Sequence, residues 1–269
     1  MNRHLLSAKK MAQFVASGYL SLDGMVPKDL CIACLKEMAD DHGYLDVGTS
    51  FEETWPTDTA LGQAFRLPKV QELIHSLIDP NPLYDHHSPH LTPAGQLRGP
   101  DTYQDSVIDF REDYFDIQLS LFAADTPDEI GGTFLIPGTH FRNVRTSEIT
   151  VYQHMRDKVW ATCPAGTIYV WNTRIWHGAR SNHTDRDHYM YKLRINPITP
   201  QVRHFDTSDL NDPAIGNILN TNHGWESNEH RYELMQRVKL WCFVSSQPDY
   251  DLGEHFLRRI ESNPQLAAA

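Results

Sequence analysis

The sequence predicts a mainly β protein, an antiparallel sandwich or barrel with flanking helices. Two textures carry that expectation. From Asp116 onward the chain falls into short β-rich or alternating runs bounded by Gly and Pro, the spacing of a sandwich or barrel. Before about residue 80, and again from about Asn228, apolar residues recur at helical period instead. No internal repeat or low-complexity tract interrupts the pattern, so the 269 residues read as a single domain with one substantial core. Its expected parts are helical over 1–80, a β core over 81–200 and a mostly helical extension over 201–269.

The first helix is expected around Met11, Phe14 and Val15, ending at Gly18; the second carries Leu30, Cys34, Leu35 and Met38 after Pro27 and ends near Gly43. The third carries Val70, Leu73, Ile74, Leu77 and Ile78 after Pro68 and stops at Asp79-Pro80. The stretch 79–101 holds five prolines, two glycines and three histidines without a sustained period, so it reads as a long lid loop. Strands are expected over Asp116 to Phe122, Thr133 to Ile136, Lys158 to Thr162, Thr167 to Trp171 and Tyr189 to Ile195. Helix returns from about Asn228 to Val244 and from Leu252 to Ile260.

Composition narrows the function classes. With 24 Lys and Arg against 35 Asp and Glu, the formal net charge of −11 disfavours nucleic acid and anionic membrane surfaces as partners. There is no apolar run long enough to span a bilayer and no signal-peptide core at the N-terminus, so a soluble cytoplasmic protein is expected. The four cysteines, Cys31, Cys34, Cys163 and Cys242, are too few and too scattered for a disulfide framework. Cys31-Ile-Ala-Cys34 has CxxC spacing but lies in a helical pattern with no second pair, so small apolar residues on a helix face are its plainer account. The loop histidines His86, His87 and His90 invite a metal, yet adjacent histidines do not readily aim at one centre, and loop packing or substrate contact is the simpler role.

The informative stretch runs from Tyr103-Gln104-Asp105 through GGTFLIPGTH to WHGARSNHT. A metal that binds a chelating cosubstrate and O2 together needs protein ligands on one face and open positions on the other, the arrangement of two histidines and one carboxylate. His177, between Trp176 and Gly178 at the end of a β run, is the best single ligand candidate, with an imidazole capping a strand end as the alternative; Asp105 is the matching carboxylate. Trp171 and Trp176 bracket the His177 turn, either as pocket walls or as plain core aromatics.

Over roughly Tyr84 to Pro197 the sequence resembles the phytanoyl-CoA dioxygenase-like family of Fe(II)/2-oxoglutarate oxygenases. The resemblance rests on GGTFLIPGTH, on WHGARSNHT and on Asp105 standing where the family has the carboxylate of its His-x-Asp pair. It implies a double-stranded β-helix, a jelly-roll or cupin-like barrel, with Fe(II) and 2-oxoglutarate as cofactors and Asp105 and His177 as metal ligands. Two positions depart from the family's pattern. Tyr103 stands where the first histidine should, and His188 where an arginine grips the far carboxylate of 2-oxoglutarate. A tyrosine ligand must first lose a proton whose ordinary pKa is about 10. Losing the arginine removes a bidentate contact of roughly 1.5–3 kcal/mol. His188, Arg186, Arg180, Lys192 and Arg194 are the candidate replacements, and Gln118 and Thr133 are polar candidates for the cosubstrate pocket, with a hydrogen-bonded surface side chain as the alternative for Gln118.

The resulting expectation is a non-haem dioxygenase-like protein oxidising a small, largely apolar metabolite, with Tyr103, Asp105 and His177 as its reactive cluster. The alternative is a diverged member without iron-dependent oxidation: a metal-free binding protein, the non-catalytic partner of an active paralogue, or a redox-neutral isomerase or lyase using the same acids and bases. Assembly as a homodimer, or as a heterodimer with a paralogue, is compatible with either.

Overall fold

A computed structural model of the chain describes residues 4–40, 51–97, 102–105, 114–142, 146–149 and 157–252. In chain order its elements begin with α1 (Ala8–Ser17), β1 (Tyr19–Leu22), α2 (Lys28–Asp40), α3 (Phe51–Thr54), α4 (Ala60–Phe65) and α5 (Pro68–Leu77). The central part comprises β2 (Leu83–Thr92), β3 (Ile117–Phe122), β4 (Gly132–Ile136), α6 (Thr146–Ile149), β5 (Val159–Trp160), β6 (Thr167–Asn172), β7 (Trp176–Arg180) and β8 (His188–Asn196). Two further helices follow, α7 (Ala214–Leu219) and α8 (Ser227–Ser245).

The strands form two antiparallel sheets, one ordered β1-β6-β3-β8-β2 and one ordered β5-β4-β7. The architecture is the expected one, mostly β with flanking helices, although among the described residues the sheets remain two separate ladders. Side-chain alternation decides what each face of the larger sheet does. Ile117, Leu119 and Leu121 of β3, Val170 of β6, and Leu193 and Ile195 of β8 join Met11, Phe14, Leu61, Leu73 and Ile74 of the helices in the main core. The alternate residues face the smaller sheet, where Phe122, Tyr169, Trp171 and Met190 pack against Leu135 of β4.

The helices start and stop where local chemistry dictates. The Ser7 hydroxyl accepts from the Lys10 amide at the start of α1, and Gly18 ends it at φ 81°, in the left-handed region that suits glycine. Pro68 opens α5, where its missing N–H leaves no partner wanting. Glu37 of α2 accepts from the amides of Ala60 and Leu61 at the start of α4, tying the two helices together.

Three strands escaped the sequence patterns. The supposed lid loop contains β2, which pairs with β8 from Leu83 to Thr92 at the edge of the larger sheet. An edge strand needs hydrogen bonds on one side only, so it tolerates Pro89, and a register shift between Tyr84 and His87 breaks its alternation. The four-residue β1 lies within the supposedly all-helical first 80 residues and pairs with β6. The residues after Trp171 do not extend one β run to His177: Asn172 closes β6, and His177 belongs to β7. The expected ends at Gly43 and the helix from Leu252 to Ile260 fall outside the described residues, except for Leu252 itself. Among those residues no helix is long and apolar enough to cross a membrane.

Candidate metal and ligand site

The IPGTH and WHG motifs meet in space, and a hydroxyl joins them. Thr139 donates to the Ile136 carbonyl (2.6 Å) and accepts from the Trp176 amide (2.9 Å), fixing the start of β7 one residue before His177. His140 donates through Nε2 to the Val15 carbonyl (3.1 Å), and His223 does the same to Ala16 (3.1 Å), satisfying the last turn of α1. Gly18 is required there, since a Cβ would come within 2.4 Å of the His140 ring. The conspicuous histidine of IPGTH is therefore a helix cap, and the motif's threonine is what aims the neighbouring strand.

Segment 102–105 is laid beside β7 by backbone pairing. Tyr103 and His177 exchange both amide-to-carbonyl bonds at 2.8 Å, and the Asp105 amide donates to Thr173 at 3.1 Å. The Asp105 carboxylate thereby reaches His177, Oδ2 to Nε2 at 3.5 Å, and Lys192 of β8 approaches the other carboxylate oxygen, Nζ to Oδ1, also at 3.5 Å. The Tyr103 and His177 rings lie 4.4 Å apart between centroids, and Trp171 flanks His177 at 5.7 Å.

The protonation pattern is informative. His177 Nδ1 is 3.0 Å from the Ile175 carbonyl, which only accepts, so Nδ1 carries the hydrogen. Nε2 of the neutral ring is then a bare lone pair facing Asp105 Oδ2, a buried oxygen with no hydrogen-bond partner. Burial holds the His177 pKa below the ordinary imidazole value despite Asp105. Burial also pushes the Asp105 carboxyl up, but His177, Lys192 and Arg194 together outweigh it and leave it below the usual carboxylate range. Two electron-pair donors facing one another across a buried gap are repulsive unless something positive lies between them. Donors bound at right angles to one ion at about 2.1 Å lie about 3 Å apart, so the observed gap is close to that of a chelating pair. These two side chains fit a metal ion. Among the described residues no third His, Cys, Asp or Glu joins them at metal-binding range.

His177 opens into a cavity of about 290 Å³ between the sheets, lined also by Gln118, Thr133, Trp171, His188, Met190 and Lys192. Gln118 Oε1, Trp171 Nε1 and both ring nitrogens of His188 have no hydrogen-bond partner. His188 is 2% exposed, its ring stacks on Phe122, and burial pulls its pKa down to about 4, so it is neutral near pH 7. Thr133 makes only a long contact to the Met190 sulfur, at 3.9 Å.

Of the candidate arginines, none lines this cavity. Arg186 is exposed on the turn before β8. Arg180 is drawn to Asp128 and the Trp160 ring, and Arg194 to Asp85 and Asp116. Lys192 alone points inward, because it shares the β8 face of His188 and Met190. The histidines of the supposed lid divide by the pleat of β2: His87 bonds to the Tyr191 hydroxyl (2.8 Å), while His90 lines the cavity. Cys31 and Cys34 are buried in α2, and burial lifts the Cys34 thiol to about 12, as packing residues require. The carbonyls of Thr173 and Ile175, which set Asp105 and the His177 tautomer, could not be found from residue types, since a backbone carbonyl carries no side-chain signal.

Residues 15–189 match the family model described as phytanoyl-CoA dioxygenase (PhyH). No curated protein matches the chain in sequence. Among solved structures, the fold is similar to EctD from S. alaskensis with 2-oxoglutarate and 5-hydroxyectoine, at 20% identity and TM-score 0.57, covering 74% of this chain and 78% of that one. It is similar to apo HygX from Streptomyces hygroscopicus at 11% identity and TM-score 0.59, covering 78% and 94% respectively. The non-heme alpha ketoglutarate dependent epimerase SnoN from nogalamycin biosynthesis aligns at 14% identity and TM-score 0.56, covering 71% and 84%.

Proposed function

The chain belongs to the phytanoyl-CoA dioxygenase family, and from that premise we propose that it is an Fe(II)- and 2-oxo-acid-dependent oxygenase of a small, largely apolar molecule, with His177 and Asp105 as its two protein ligands. The observation that carries this reading is the bare Nε2 of His177 facing the unpartnered Oδ2 of Asp105 at 3.5 Å. Solved relatives of the fold with 2-oxoglutarate, or with Fe3+ and alpha ketoglutarate, lend it support.

Bound there, Fe(II) with a 2-oxo acid supplies the activation of O2. The chain's own residues prepare the place. The Ile175 carbonyl keeps the hydrogen of His177 on Nδ1, so Nε2 stays available. Lys192 attracts Asp105 Oδ1 and leaves Oδ2 to face inward. Tyr103 and Trp171 cover the His177 ring and keep water from it. Gln118, Thr133 and His188 line the space in which a cosubstrate would lie.

A second reading rests on Lys192. Its ammonium already compensates the Asp105 charge, so the same pocket suits a redox-neutral or purely binding role without iron. Anaerobic addition of Fe(II) and then a 2-oxo acid separates the two. The oxygenase reading expects metal uptake and a weak visible charge-transfer band; no uptake of iron overturns it in favour of the second.

A further inference from the structure

The cavity is electrically lopsided. Among the described residues its one Lys, Arg, Asp or Glu, Lys192, lies toward the His177 end with its ammonium drawn to Asp105 just outside the lining, whereas the far end of the β8 face is formed by His188, Met190, Thr133 and the backbone at Gly132. On β8, His188 and Lys192 are four residues apart, about 13 Å of strand, so the ammonium of Lys192 anchored at Asp105 does not serve both ends. A Cβ at Gly132 would lie 3.5 Å from His188 Nε2, so the glycine keeps the imidazole edge open.

His188 is the polar side chain at that far end with both ring nitrogens unpartnered. It is buried, uncharged near pH 7 and has neither ring nitrogen satisfied. A neutral imidazole presents one donor and one acceptor. A carboxylate set against it can only accept, and it buries a charge without a counter-ion. A carboxamide or hydroxyl can either donate to or accept from the ring nitrogen it meets, and it brings no charge.

We propose that this cavity takes an acid whose carboxylate end lies beside Lys192 and His177 and whose far end is an uncharged hydrogen-bonding group. Resting on the oxygenase reading, the cosubstrate would then be a 2-oxo acid with a neutral tail rather than a dicarboxylate.

Glutarate and its monoamide, glutaramate, have nearly the same shape and differ in one charge at the far end. Calorimetric titration of both into wild-type protein, metal-free and anaerobically loaded with Fe(II), tests the proposal without turnover. Glutaramate is expected to bind roughly ten- to a hundred-fold more tightly, and His188→Arg to shift the preference toward glutarate by a similar factor. The wild-type comparison stands even if that variant fails to fold. Glutarate binding as tightly as glutaramate, or neither binding, overturns the proposal. A protein that takes up no iron yet still prefers glutaramate overturns the oxygenase reading and leaves this one standing.

Discussion

On β3, Ile117, Leu119 and Leu121 alternate with Gln118, Ser120 and Phe122, and the two faces have different tasks. The first set packs with the helices into the main core. The second faces the smaller sheet, where Gln118 Oε1 and Ser120 Oγ have no hydrogen-bond partner. Buried polar atoms are nearly always paired, so Gln118 Oε1 on this face, together with Asp105 Oδ2 and both nitrogens of His188, supports the proposed ligand site. One face holds the fold together, and the other is kept incomplete by it.

That division can be broken in order of expected effect. Replacing His177 by Ala removes one of two ligands and is expected to lower metal affinity by at least the roughly 100-fold at the top of the range for outer-shell partners; metal-induced thermal stabilisation of the variant measures it. Undiminished stabilisation would mean that the polar face is not a metal site. Leu119→Ala on the opposite face is expected to destabilise the protein by about 2–5 kcal/mol while the folded fraction binds ligand as before. Urea unfolding with and without ligand checks both halves, and ligand binding that falls while stability holds would merge the two faces.

Tyr103→His would sharpen the contrast by supplying a third donor. Metal affinity is expected to rise about tenfold or more, the size of effect that even outer-shell partners command, and competition with a chelator reads it. A further effect concerns the histidine caps of α1. Burial, reinforced by Arg237, holds His140 well below 6.5 and His223 at about 4. Because the unfolded chain takes up these protons first, their stabilisation is present above pH 6.5 and fades as the pH falls toward 4. Urea midpoints measured across that range should fall with acid, and a flat profile would show that the caps are not kept neutral by the fold.

Much of this was legible in the sequence, and the exceptions have physical causes. The β-rich runs Asp116 to Phe122 and Thr167 to Trp171 located β3 and β6, because strands buried on both faces are rich in apolar and β-branched residues. β2 was hidden because an edge strand can carry proline and a bulge that erase its period. Asp105 and His177 were identifiable as types, but their meeting depends on backbone pairing of Tyr103 with His177, which no side chain announces. Strand parity pointed to Lys192 and Arg194 alike. Only the nearby Asp85 and Asp116 decide that Arg194 is engaged elsewhere, leaving Lys192 to Asp105.

The most direct test is anaerobic titration of Fe(II) into the purified wild-type chain and into Asp105→Ala, followed by calorimetry. Saturation at one ion per chain is expected in the wild type, and no saturable uptake in the variant. A wild type that does not saturate, or a variant that binds iron equally well, would contradict it.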